Sequence, residues 1–495
     1  MNTKSVIVIG AGIGGITAAI HLAKHGVHVT VVEKNSHPGG RCDRFSREGH
    51  HFDTGPTLLV MPLLYDAEFN SLGTSLRERL DLRRVDPTYN LVFDDGSQLA
   101  LTSDLKRLQE QLDSIQTGSF QGFLRYLTEG ERHYQLALEK LVNRNFLKAS
   151  DFFNFQNLAL TFRLKALVNH YRNMSSYFDD PRLKTAFTFQ DVYMGLSPFE
   201  APATFSLMPY TELTHGVWYP KGGMYAVVET LIDLARTLGV EFAFNKSVER
   251  IDTNSSRVTA VILADGSHLA ADAILANADL PYVYHDLLPQ DEMAKSLMRK
   301  QFSCSVISFF WGLNKAYENL NPHTLFLADD YRENFDSIIR DLSLPVNPSL
   351  YLHAPARLDP SMAPRGEDTL IAIVPVGHLN EKNEQNWDDL RDKARQHVFR
   401  RLKSIGITDI AAHIKFEETY TPLSWRKRYN LLKGSTHGLS HTLTQLAYFR
   451  PSNRHPRYKN LFFVGASTHP GTGMPTAMVS GRLVTERILN DLSTW

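Results

Sequence analysis

The stretch Val6-Ile7-Val8-Ile9-Gly10-Ala11-Gly12-Ile13-Gly14-Gly15 decides the fold of this 495-residue chain. Four apolar, β-branched residues run straight into a G-x-G-x-x-G turn formed by Gly10, Gly12 and Gly15, and a helical pattern follows as far as Lys24. This order predicts a strand over Ser5 to Ile9 and a helix from about Gly14. The first glycine permits the tight turn, the second lets backbone approach a pyrophosphate, and the third lets helix and strand pack closely. The free N–H groups of the helix N-terminus face the phosphates. The next apolar run, Val27 to Val32, delivers Glu33, whose carboxylate can accept hydrogen bonds from ribose hydroxyls. Strand, turn, helix, strand and acid in this order predict a Rossmann-like dinucleotide site.

Around that centre the chain is long enough for two or three domains. Lys plus Arg and Asp plus Glu both number 53, so no whole-protein field favours nucleic acid, which is not an expected partner. The two cysteines, Cys42 and Cys304, form no metal or disulfide spacing, so no metal site is expected and the cytoplasm is the expected compartment. Ser5 to Ala23 carries no Asp, Glu, Lys or Arg and has the length of a membrane span, but the nucleotide reading accounts for its glycines. Any membrane contact is expected from the surface.

Further along, Val217-Trp218-Tyr219-Pro220-Lys221-Gly222-Gly223-Met224 precedes an amphipathic helix with Val227, Val228, Leu231, Leu234, Ala235 and Leu238 on one face. Short strands are predicted after it over Val240 to Phe244, Ser247 to Ile251, Val258 to Leu263 and Ala273 to Ala276. A third piece closes the chain, where Asn460-Leu461-Phe462-Phe463-Val464-Gly465 reads as a buried strand running into a glycine-rich loop, followed by a helix from about Pro475. The expected architecture is α/β. A discontinuous dinucleotide domain comprises residues 1–70, 211–285 and 455–495. An α+β substrate domain with a helical, membrane-associating region comprises 71–210 and 286–454.

Downstream of Glu33 come His37-Pro38-Gly39-Gly40-Arg41 and Phe52-Asp53-Thr54-Gly55-Pro56-Thr57. Gly39 and Gly40 permit close backbone approach, Arg41 brings positive charge toward the cofactor, and Gly55-Pro56 makes a rigid turn able to lie against a ring system. A simple NAD enzyme has no need of these. Together with the N-terminal glycines they resemble the flavin amine-oxidase superfamily. The segments Gly216 to Gly223, Leu352-His353-Ala354-Pro355 and Gly465-Ala466-Ser467-Thr468-His469-Pro470-Gly471-Thr472-Gly473-Met474-Pro475 narrow the similarity to the bacterial and fungal phytoene desaturase family of carotenoid desaturases.

The resemblance implies an FAD enzyme that removes hydrogen from a long, linear, uncharged isoprenoid, with quinone or oxygen as electron acceptor. It assigns to the cofactor Gly10, Gly12, Gly14, Gly15, Glu33, Lys34, Gly40, Arg41, Gly55, Pro56, Thr57, Val248, Gly465, Gly473 and Met474. Val248 matches a position whose backbone meets the adenine. Pro475 suits the first turn of a helix whose N–H groups could aim at the flavin. The acid that often follows the equivalent of Gly465 in the wider superfamily is Ala466 here, as in the carotenoid-desaturase branch. Rival readings are a carotenoid isomerase, a terminal oxygenase, a porphyrinogen or amine oxidase, and an isoprenoid-binding protein of the GDP-dissociation-inhibitor kind.

Tunnel candidates are Phe152, Phe153, Phe155, Phe187, Phe189 and Tyr193. No catalytic residue is assigned, although His353, His378 and Glu418 lie in segments similar to the family. Phe152 to Phe178 interleaves apolar residues with Arg163, Lys165, His170 and Arg172 and contains no acid, the pattern of an amphipathic membrane-surface element.

Overall fold

The computed structural model describes residues 3–382 and 384–493. Ser5–Ile9 is a strand and Ile13–Lys24 a helix, so the uncharged N-terminal stretch is a buried strand, turn and helix. Five parallel strands form one sheet in the order Leu461–Phe463, Ala273–Ala276, Ser5–Ile9, His28–Val32 and Glu241–Ala243. They come from three separated parts of the chain. Parallel strands are buried on both faces, and helices Ile13–Lys24, Tyr225–Thr237 and Met474–Leu492 contribute to one of the two apolar layers, where Val6, Val8 and Val31 meet Ile16, Val228, Leu231 and Ile488. Each such side chain contributes about 1.5–3 kcal/mol when fully buried. The helices Ile13–Lys24 and Met474–Leu492 approach so closely that a Cβ on Gly481 would lie 2.8 Å from the Gly14 carbonyl oxygen.

The second sheet has seven strands in the order Ile414–Tyr420, Ser305–Leu313, Asp368–Val376, Leu350–His353, His323–Leu327, Tyr89–Phe93 and Gln98–Leu101. All its pairs are antiparallel except Tyr89–Phe93 with His323–Leu327. Side chains alternate between its faces. Ile307, Phe309, Ala372 and Val374 pack under helix Trp387–Ser404 through Trp387, Ala394, Val398 and Leu402. Their neighbours Val306, Ser308, Ile373 and Pro375 face a large internal cavity. Val306 pairs with Pro375 and Ser308 with Ile373, which makes one continuous wall.

Val217–Pro220 is a strand just ahead of the helix Tyr225–Thr237. It pairs antiparallel with Leu82–Val85, outside the parallel sheet, because Val217 and Tyr219 bury themselves against Val85.

A set of helices between Leu105 and Thr214 covers the cavity. Within it, Phe152 to Phe178 is several short helices, Ala149–Phe152, Phe155–Arg163 and His170–Met174. Phe155 is 90% exposed and Phe162 66%, with Phe153, Leu158 and Leu167 also exposed. The expected basic face is smaller than the sequence suggested. His170 is fully buried and bonded to Asp191, and Lys165 pairs with Glu129. Among the described residues no helix is long and apolar enough to cross a membrane.

Candidate active site

The parallel strands end on the cavity, as ligand crevices of open α/β sheets do. The cavity measures about 710 Å³. At this end Gly12 sits where a Cβ would lie 2.7 Å from Asn277 Nδ2, so main chain alone fits between the strand and its neighbours. Gly12 is the N-cap of the helix Ile13–Lys24 and has no side-chain cap, leaving its N-terminal N–H groups for an anion. Glu33 is 6% exposed and lines the cavity. Its two oxygens accept the N–H groups of Ala11 and Asn35, each at 2.8 Å, which fixes the carboxylate and leaves lone pairs for hydroxyl donors.

Arg41 is half-buried, and its Nη1 donates to the Thr436 carbonyl oxygen at 2.8 Å. Its remaining donors have no partner among the described residues, and the side chain lines the cavity. Burial lowers its pKa, and the nearby Asp279 carboxylate opposes that shift. A half-buried cation with unused donors, lining the same cavity as the anion-binding loop, fits a diphosphate or an electron-rich ring carbonyl. The turn Gly55-Pro56-Thr57 also lines this end, and Thr57 Oγ1 is 2.7 Å from Tyr351 Oη, locking the turn to the mixed sheet.

The far end is apolar. Lining residues between 137 and 208, such as Leu138, Leu160, Phe189, Tyr193 and Met208, include no Asp, Glu, Lys or Arg, and neither do those between 325 and 375. Phe152 and Phe449 line the cavity and stand 5.5 Å apart, and Phe449 is also 44% exposed. Phe153, 60% exposed, lies 6.0 Å from Phe449, so this aromatic group joins the cavity to the exposed apolar surface.

Of the residues singled out from the sequence, Gly10, Gly12, Gly14, Glu33, Lys34, Gly40, Arg41, Gly55, Pro56, Thr57, Val248, Gly465, Gly473 and Met474 all line this cavity. Gly15 does not. Its position faces the Gly10 carbonyl oxygen, 2.6 Å from a would-be Cβ, and it serves helix–strand packing. The Lys34 ammonium is held in a clamp, donating to Asn430 Oδ1 at 2.7 Å and to the Lys427 carbonyl at 3.0 Å. Phe189, Tyr193 and Phe152 line the cavity, Phe187 is packed in the core, and Phe153 and Phe155 lie on the surface. His353 is sealed against His323, ring centroids 4.5 Å apart, while His378 is bonded to Leu379 and Glu418 is exposed. None of these three lines the cavity.

Sequence reasoning missed Asn277-Ala278-Asp279, which line the cavity just after the strand Ala273–Ala276. Asn277 Nδ2 donates to the Gly10 carbonyl at 3.1 Å. Their position after a parallel strand was the available signal. It also missed the loop 436–441 and Arg450, whose buried guanidinium donates to the carbonyls of Leu439, Ser440, Gln445, Ala466 and Thr468. No spacing in the sequence marks that hub.

The family profile described as flavin containing amine oxidoreductase matches residues 13–489. The chain is 41% identical to a phytoene desaturase of Fusarium fujikuroi, covering 99% of this chain and 90% of that one. It is 40% identical to a zeta-carotene-forming phytoene desaturase of Myxococcus xanthus, covering 99% and 94%. A solved cofactor-binding variant of putrescine oxidase shares the fold, with a TM-score of 0.66, 15% identity and 99% coverage of both chains. The nucleotide end of the cavity, with its glycine cradle, fixed Glu33 and free Arg41 donors, agrees with that family's cofactor. The chain therefore belongs to the flavin containing amine oxidoreductase family, on its phytoene desaturase branch, and its cofactor is FAD.

Proposed function

We propose that the chain is an FAD-dependent carotenoid desaturase that introduces double bonds into a linear C40 or related isoprenoid. The observation that carries this is a single cavity whose one end is lined by the dinucleotide motifs and whose other end is lined by apolar side chains without a charge. A hydrocarbon offers no group for a charged wall to recognise, so shape and dryness must hold it.

In this reading Gly10, Gly12, Gly14 and Arg41 hold the diphosphate, Glu33 orients the adenosine ribose, Val248 meets the adenine by backbone, and Gly55-Pro56-Thr57 with Gly465, Gly473 and Met474 surround the flavin end. The bound flavin supplies hydride acceptance. Val306, Ile373 and Pro375 of the mixed sheet, together with Phe189, Tyr193 and Met208, supply the apolar lining that an extended chain would fill, excluding water. The Thr57–Tyr351 bond holds the cofactor-end turn against the mixed sheet.

The exposed Phe153, Phe155, Leu158, Phe162 and Leu167 beside the Phe152–Phe449 opening favour a peripheral membrane protein of the cytoplasm that draws its substrate from the bilayer. A quinone in the same bilayer, or oxygen, would reoxidise the cofactor. The chain divides functionally into residues 1–70, 211–285 and 455–495 for FAD and 71–210 with 286–454 for substrate.

Coexpression with a phytoene-producing pathway in a colourless host tests the activity. Coloured pigment with fewer hydrogens by mass is expected. Unchanged phytoene beside soluble, flavin-loaded protein would overturn the assigned substrate.

A further inference from the structure

Desaturation removes two hydrogens from neighbouring carbons, and the second must leave as a proton. The apolar end of the cavity contains no carboxylate to receive it. Three imidazoles line the cavity, those of His437, His441 and His469. His441 is fully engaged, since its Nδ1–H donates to the Met194 carbonyl at 3.2 Å and its Nε2 accepts the Thr472 N–H at 3.0 Å. His469 donates through Nε2–H to the Arg144 carbonyl at 2.9 Å, and its Nδ1 is sealed from any solvent or ligand. His437 differs from both. Its Nδ1 lies 3.3 Å from Thr436 Oγ1, while its Nε2 has no partner among the described residues and is not among the sealed atoms. The Asp279 carboxylate also lines the cavity, but it accepts the Ser467 hydroxyl at 2.6 Å and serves as counter-charge to Arg41 and the buried Arg450. Tyr193 and Tyr351 have their hydroxyls committed to Tyr89 and to Thr57 and His323.

We infer that His437 is the catalytic proton acceptor of the desaturation, its Nε2 receiving the proton from the carbon next to the one that loses hydride. This rests on the desaturase reading. One hydrogen leaves with its bonding pair for the FAD that this activity uses; the other leaves as a proton to His437 Nε2, and its bonding pair becomes the new π bond. The place is suitable, because the adjacent Thr436 carbonyl is the acceptor for Arg41 at the cofactor end. The chemistry is suitable too. Burial and the Arg41 charge lower the His437 pKa to about 4, so the imidazole is neutral at working pH and returns the proton readily. A weak base suffices, since a carbon losing hydride from an allylic position makes its neighbour strongly acidic.

The test mixes anaerobic FAD-loaded enzyme with phytoene in phosphatidylcholine vesicles and follows bleaching of the flavin absorbance. His437→Asn keeps FAD content and melting temperature and reduces the flavin about 100-fold or more slowly, in the range of general-base contributions. His437→Gly is slow likewise and is accelerated by added imidazole, a rescue that a merely structural role would not show. In the unmutated holoenzyme, a bound carotenoid product shifts the ¹⁵N resonance of the His437 ring. Bleaching of His437→Asn within twofold of the parent, absence of imidazole rescue in flavin-loaded His437→Gly, or an unmoved ¹⁵N resonance would each overturn the assignment. A parent enzyme that binds FAD and is not bleached by phytoene would instead overturn the desaturase reading itself.

Discussion

The five-stranded parallel sheet and the seven-stranded mixed sheet border one cavity, yet they contribute to it by different parts of the chain. The parallel sheet contributes strand ends. Gly10, Gly12 and Gly465 present main chain; a Cβ on Gly12 would meet Asn277 at 2.7 Å, and Gly10 and Gly465 hold φ of +98° and +111°, where a side chain is strained. The mixed sheet contributes a face. Val306, Ser308, Ile373, Pro375 and Tyr351 project from three strands at alternate positions, and the main chain is hidden in the ladder. A charged dinucleotide is held by directional N–H groups, which demand glycine at fixed spacing. A hydrocarbon is held by area, which many apolar residues supply equally well.

The sharpest way to break that contrast is at Gly12. A Cβ there would lie 2.7 Å from Asn277 Nδ2, and the larger Val side chain also intrudes on the anion loop. Gly12→Val is expected to weaken FAD binding at least about 100-fold, some 2.7 kcal/mol. The purified protein should be colourless, and added FAD should fail to restore the flavin spectrum. A yellow variant with the parent's flavin content would show that the cradle is not set by main-chain approach.

The same contrast explains what was legible in the sequence. The strand Ser5–Ile9, the helix after it, Glu33 and the closing helix could be read because each is local and each is constrained by backbone geometry. The mixed sheet could not. Tyr89–Phe93 pairs in parallel with His323–Leu327 across more than two hundred residues, and no periodicity announces such a partner. His437 lies in a loop whose position depends on the buried Arg450 guanidinium and on the Ser303 hydroxyl accepting the His437 N–H at 3.1 Å, contacts distant in sequence. Phe187 and Phe189 look alike in the sequence and both are buried, yet only Phe189 lines the cavity, because Phe187 closes the helix Pro181–Ala186 whereas Phe189 opens the 3₁₀ turn Phe189–Met194.

Buried carboxyl groups sharpen the comparison through stability instead of cofactor binding. Asp53, near the cofactor end, is pushed up to about 7 by burial but accepts the N–H groups of Met224 at 2.7 Å and Tyr225 at 3.1 Å. Glu212, in the helical cover, has only side-chain donors, Gln190 Nε2 at 3.1 Å and Tyr89 Oη at 3.4 Å, and burial pushes it up to about 8. Between its ordinary value and about 8 the folded chain keeps a proton on Glu212 that the unfolded chain has released. Raising the pH through that window therefore destabilises the fold by about 1.4 kcal/mol per pH unit, and the loss levels off above the folded value. Glu212→Gln should remove this slope. Relative to the parent, its melting temperature should be raised at pH 8 and nearly unchanged at pH 5. Equal differences at both values would mean that Glu212 is ionised in the folded protein and has a partner for its charge.

The smallest effect on the fold, and the most selective, is expected at Phe155. Its ring is 90% exposed, so removing it deletes almost no buried contact, and Phe155→Ser should change stability by less than about 0.5 kcal/mol. Flavin content should be unaltered, since the residue lies outside the cavity lining. If this surface enters the bilayer, however, burying the ring there contributes of the order of 1.5–3 kcal/mol, and its loss should lower vesicle binding about tenfold or more. Flotation with phosphatidylcholine vesicles measures this directly. Adding Phe162→Ser should lower binding further, because Phe162 also lies exposed on the helix Phe155–Arg163. The cofactor end provides the control, for a Glu33→Gln variant should lose FAD affinity and float as the parent does. Unchanged flotation of Phe155→Ser and of the double variant would separate the exposed aromatic surface from substrate delivery, and would leave the cavity to obtain its hydrocarbon by another opening.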